Sequence, residues 1–137
     1  MSLVHLPPYT VNLSPRAMRH DVDWGLAAYQ VPEVWNQTDG EGVTVCVIDT
    51  GVDDHRHLKV DDHVNFTSDS ETRDTVGHGT HVAGVIASRS SHCRGIAPGV
   101  KLISLKVLGH SGFGNNRDVA DAVRYAAAAG ADICCMS

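Results

Sequence analysis

An α/β fold with a mainly parallel sheet flanked by helices is the class this sequence predicts. The first observation is residues 43–48, VTVCVI, apolar or β-branched at every position. A strand with no polar side must be buried on both faces, as strands are in parallel sheets covered by helices. The second is that two further runs of this kind follow, at 101–108 (KLISLKVL) and 132–136 (DICCM). The third is that helical patterns separate them, at about 78–88 and 117–129. Strand, helix, strand, helix, strand is the order of βαβ crossovers. A length of 137 residues suffices for one modest domain with a real core.

In chain order, residues 1–23 read as an irregular N-terminal arm, because Pro7-Pro8 forbids a helix and favours an extended path. Residues 24–137 read as the folded part. Trp24 to Tyr29 lie on its surface, and Pro32 suits the first turn of a short helix with Val31, Val34 and Trp35 on its buried side. Asp39-Gly40 and Gly42 mark a turn before the first strand. Residues 52–76, rich in Asp, His, Ser and Thr, read as a surface connection with a short strand around Val64-Asn65-Phe66.

The helix at 78–88 places Val82, Val85 and Ile86 on one face. Its small residues Gly79, Ala83 and Gly84 predict close approach to a neighbour, since each helical glycine costs roughly 1 kcal/mol. In the second helix Asn116 is the expected cap and Gly130 the stop. Val119, Ala122, Val123 and Ala126 form its inner side.

Composition narrows the function classes. A net charge of −5 argues against nucleic acid as a partner. No run approaches the roughly 20 apolar residues of a membrane span, and MSLVHLPPYT lacks the basic start of a signal peptide. Of four cysteines, Cys46, Cys134 and Cys135 sit in strand-like runs and read as buried free thiols, as does the fourth, Cys93. This points to a cytoplasmic location, with secretion as the alternative. Nine histidines raise a zinc hypothesis, but His78 and His81 in HGTH lack both the i,i+4 spacing and the glutamate of a zinc-protease helix.

Two motifs carry chemistry, VIDTGVD at 47–53 and GHGTHVAG at 77–84. Asp49 ends the first strand, at the carboxyl edge where open α/β sheets place their sites. His78 opens a helix, whose dipole disfavours an imidazolium. A nearby carboxylate offsets that penalty and fixes the tautomer, and Asp49 is the obvious partner. A base oriented by a carboxylate is two-thirds of a serine hydrolase's machinery. His81 is expected to face the interior.

VIDTGVD and GHGTHVAG resemble the aspartate and histidine motifs of the subtilisin-like serine proteases. LKVLGHSGFG and DICCMS are similar in order and spacing to the same family, so the resemblance covers about residues 24–137. It implies that Asp49 and His78 are catalytic. It also implies that Gly112, Phe113 and Gly114 pair with an extended peptide or protein substrate, with Ser137 beginning the opposite rail. The family's nucleophilic serine and oxyanion asparagine lie further along than residue 137, so this chain alone is expected to be inactive. A closer likeness is to the intracellular subtilisins, in which a short extension covers the active site. Leu6-Pro7-Pro8-Tyr9 looks similar to that inhibitory segment.

No cofactor is expected. The family often binds calcium, but His57 stands near one ligand position and the loop 89–94 (RSSHCR) offers no carboxylate, whereas calcium wants several oxygens. The rival readings are a non-catalytic fragment that associates with itself or with the missing C-terminal half, and a nucleotide-binding domain. The latter lacks a GxGxxG loop after its first strand.

Overall fold

The computed structural model describes residues 23–137. The elements are Trp24–Ala28 (α1), Val31–Val34 (α2), Thr44–Asp49 (β1), Asp62–Asn65 (β2), His78–Ala87 (α3), Lys101–Lys106 (β3), Asn116–Ala128 (α4) and Ile133–Cys135 (β4). The strands form one four-stranded sheet in the order β2-β3-β1-β4, and every pairing is parallel.

β1 is central because neither of its faces is polar. Val45 and Val47 turn to one side and pack with Leu102 of β3 and Ala83 and Ala87 of α3. Cys46 and Ile48 turn to the other side and pack with Ile103, Leu105 and the α4 residues Ala122 and Ala126. The period of two thus divides one strand between two cores, with a helix over each. Fully burying each such side chain stabilises by about 1.5–3 kcal/mol, so β1 and β3 anchor the fold.

Because α3 packs on one face of β1 and α4, which follows β3, packs on the other, the chain diverges at the carboxyl ends of β1 and β3. Ligand crevices open at such switch points. Asp49 sits there, level with Lys106 in the register.

Several expectations need correction. The buried stripe of α3 is Gly79, Ala83 and Ala87, while Val85 stands half exposed. Contact with β1 is so close that only small side chains fit, which turns the larger valine outward. Gly84 is not part of that approach, since a side chain there would meet nothing within 4 Å. α4 is capped by Asn115, not Asn116: its side chain accepts from the amides of Arg117 (3.0 Å) and Asp118 (2.9 Å). Val123 is exposed on α4. β2 starts at Asp62, earlier than expected, and lies at a sheet edge.

α2 buries none of its residues, and Val34 is exposed. What fastens it is Trp35, whose indole Nε1 donates to the Ile96 carbonyl at 2.9 Å beneath the Arg94 guanidinium. Among the cysteines only Cys46 is buried, because Cys134 and Cys135 belong to edge strand β4 and Cys93 to a loop. All four are free thiols. No helix among the described residues is long and apolar enough to cross a membrane.

Candidate active site

The site begins where β1 runs out of apolar residues. The Asp49 carbonyl accepts from the amides of Val107 (2.8 Å) and Leu108 (3.1 Å), which locks the strand end against the chain leaving β3. Its carboxylate is buried, and Oδ1 accepts from the Thr50 amide at 2.7 Å. The same Oδ1 lies 2.8 Å from His78 Nδ1. The carboxylate side chain is 1% exposed and the imidazole 50% exposed. One partner is therefore shielded from water while the other reaches it.

The contact fixes the chemistry of the ring. A carboxylate only accepts, so Nδ1 carries the proton and Nε2 presents a lone pair when the imidazole is neutral. Two effects on the imidazolium oppose each other. The helix N-terminus disfavours it, while the hydrogen bond to the buried Asp49 carboxylate favours it. The second wins. The hydrogen bond that His78 donates to Asp49 and the charge of that carboxylate raise His78 above the ordinary 6.5, with a smaller push from Asp74 and against some burial.

The close seat of α3 depends on Gly79. A Cβ there would lie 2.1 Å from the Gly51 carbonyl oxygen and 3.2 Å from the Asp49 Cβ. Only glycine lets the first turn of α3 rest on the turn after β1, and that contact places His78 over Asp49.

Sequence reasoning missed Asp74, Thr50, Thr80 and Lys106. The N-cap of α3 is Gly77, which has no side chain to serve the helix amides. Asp74 does so instead, accepting from the Gly77 amide (2.9 Å) and the Thr80 amide (2.9 Å). Burial alone would raise the Asp74 carboxyl, but hydrogen bonds from the Thr80 hydroxyl and three amides outweigh it and hold it down at about 2. Lys106, fully buried, donates to the Thr50 carbonyl at 2.9 Å.

The remaining predicted residues lie at the same carboxyl edge. Gly112, Phe113 and Gly114 follow β3 in a tight turn, where the Gly109 amide donates to the Phe113 carbonyl at 2.9 Å. Phe113 is 81% exposed beside a cleft of about 610 Å³ lined by Phe66, Asp69 and His110. A Cβ on Gly114 would strike the Val107 carbonyl at 2.1 Å. β4 pairs Cys135 with Val47, so Ser137, two residues on, is carried to the level of Asp49. His81 does not face the interior: it is exposed and lines a cleft of about 530 Å³ along α3. Leu6, Pro7, Pro8 and Tyr9 lie outside the described residues.

That α3 cleft also tests the calcium expectation. His55, His57, Ser88, Ser90, Cys93 and Arg94 face it, with one carboxylate, Asp23. The Asp23 Oδ1 already accepts from the Gly25 amide at 2.8 Å. Imidazoles, a thiol and a guanidinium do not suit a hard cation that wants several oxygens. Among the described residues, those that line this cleft do not fit calcium.

Residues 40–137 match the model of the subtilase family. The chain is 40% identical to an intracellular serine protease of Paenibacillus polymyxa, over 98% of this chain and 44% of that protein. It is 39% identical to an alkaline protease of Alkalihalobacillus alcalophilus, over 80% of this chain and 30% of that protein. It is 39% identical to Subtilisin Savinase of Lederbergia lenta, over 77% of this chain and 40% of that protein. The chain thus spans less than half the length of these relatives. With two motifs, a parallel sheet and collinear flanks in agreement, the chain belongs to the subtilase family.

Proposed function

We propose that this chain supplies the aspartate and histidine of a serine endopeptidase that hydrolyses peptide bonds with an Asp-His-Ser triad. The observation that carries the reading is the 2.8 Å contact between the buried Asp49 carboxylate and the half-exposed His78 ring at the carboxyl edge of the sheet. Asp49 holds the Nδ1–H tautomer. Nε2 then takes the proton of a serine hydroxyl as it attacks the substrate carbonyl, and returns it to the leaving amine. Charge builds on the imidazole in that step, and the adjacent carboxylate stabilises it.

The substrate is a peptide or protein in extended form. Gly112, Phe113 and Gly114 offer backbone groups for strand pairing on one side, with Ser137 on the other. Residues 24–137 form the N-terminal part of the peptidase domain. The exposed edge of β4, with Ile133 and Met136 open to solvent, pairs with the C-terminal half that carries the nucleophile. Leu6, Pro7, Pro8 and Tyr9, within residues 1–23, act as an inhibitory segment of the site. Proline resists cleavage because it lacks an N–H and has a restricted backbone. The cytoplasm is the location most in keeping with the intracellular relative, and secretion is the alternative.

Peptide hydrolysis by three proteins is the test: the 137-residue chain, a longer protein that contains it, and that longer protein without residues 1–20. The expected order is no turnover, turnover, and greater turnover. Serine-reagent-sensitive turnover by the 137-residue chain alone overturns the assignment of the nucleophile to another segment. Unchanged activity after the deletion overturns the inhibitory arm.

A further inference from the structure

Asp74 makes more hydrogen bonds than its place in a polar connection requires. Its Oδ1 accepts from the Thr50 hydroxyl (2.9 Å), the Val76 amide (2.9 Å) and the Gly77 amide (2.9 Å). Its Oδ2 accepts from the Thr80 amide (2.9 Å) and the Thr80 hydroxyl (2.6 Å). Thr50 follows Asp49 directly, and Thr80 lies in the first turn of α3 with His78. One buried carboxylate therefore grips both supports of the pair.

The Thr50 hydroxyl makes the grip directional. It gives its proton to Asp74, so a lone pair remains to accept from the Gly79 amide at 2.9 Å. Carboxylate, hydroxyl and helix amide form a chain that runs beneath the Asp49–His78 contact. The half-exposed imidazole gains its orientation from where β1 and α3 are held.

We propose that Asp74 is the positioning residue of this site: by tying the turn after β1 to the first turn of α3, it holds His78 as the Nδ1–H tautomer against Asp49. Its consequence for turnover rests on the peptidase reading above, but its effect on the imidazole does not. The charged groups that act on His78 are Asp49 from β1 and Asp74 from the connection before α3, while the Lys106 ammonium of β3 is bonded to the Thr50 carbonyl. Neutralising Asp74 removes one of two carboxylates that favour the imidazolium and leaves the lysine in place.

Imidazole ¹H–¹⁵N NMR on the 137-residue chain tests this. The parent should show a protected Nδ1 proton and a titration midpoint above 6.5. In Asp74→Asn with a dispersed, folded spectrum, the Nδ1 proton should exchange about tenfold faster and the midpoint should fall. A folded Asp74→Asn with both unchanged overturns the proposal. If Asp74→Asn does not fold, Thr80→Val and Thr80→Ser decide. Val removes one bond to Oδ2 and should speed Nδ1 exchange, and Ser should restore it; equal rates in parent, Val and Ser overturn the proposal. In the longer peptidase, Asp74→Asn should lower kcat with KM unchanged. A changed imidazole with unchanged turnover would support the positioning of His78 and refute its consequence for turnover.

Discussion

Replacing His78 with alanine in the longer peptidase should lower kcat by about 10⁶ and leave KM nearly unchanged. That size of loss is the one found for subtilisin, a member of this family, and is carried over from it. The direction follows from the geometry. His78 Nε2 is the free basic nitrogen of the pair, and alanine removes it while leaving the rails of the groove intact. Asp49→Asn should cost about 10⁴, the loss seen when the triad aspartate is changed on an unrelated fold. Asparagine cannot stabilise the imidazolium, and it permits the tautomer that hides the Nε2 lone pair. Because the two residues act as a unit, the double variant should be no slower than His78→Ala. Steady-state kinetics on a chromogenic peptide would measure all three. A His78→Ala variant that keeps about a tenth of the parent kcat would refute the role of the histidine.

The second large effect is on stability and has a built-in control. Gly79→Ala and Gly84→Ala make the same change in the same helix. Both gain about 1 kcal/mol of helix propensity. At position 79 the new methyl would lie 2.1 Å from a backbone oxygen, so α3 must move away from the turn after β1. Overpacking of this kind costs about 1–3 kcal/mol, and more where the neighbour is backbone. Gly79→Ala should therefore destabilise by about 2 kcal/mol, and Gly84→Ala, with open space around it, should stabilise by about 0.5–1 kcal/mol. Denaturant midpoints at constant slope give both values. Shifts of the same sign would contradict the docking of α3 on Asp49.

How much of this was legible in the sequence depended on how local each cause is. The parallel sheet was readable from VTVCVI and KLISLKVL, because burial on both faces leaves no polar position. Asp49 and His78 were readable because they stand where two opposite patterns meet, a strand end and a helix start. Asp74 was hidden inside a polar stretch. Its partners are separated from it by 24 residues on one side and 6 on the other, and composition cannot show such a network. The outward turn of Val85 was hidden for a related reason. An apolar residue at helical spacing looks like core until the neighbour proves too close to admit it. Cys134 misled in the same sense, since its apolar run forms an edge strand of the described sheet.

Covalent labelling tests the central claim most directly. The longer peptidase is treated with a peptidyl organophosphorus ester across a pH series, and the adduct is mapped by mass spectrometry. The account predicts one adduct per molecule, on a serine outside residues 1–137. Its rate should rise with a midpoint on the alkaline side of 6.5, the ordinary histidine value, and should collapse in His78→Ala. An adduct on Cys93 or Cys135, or equal labelling of parent and His78→Ala, would contradict it.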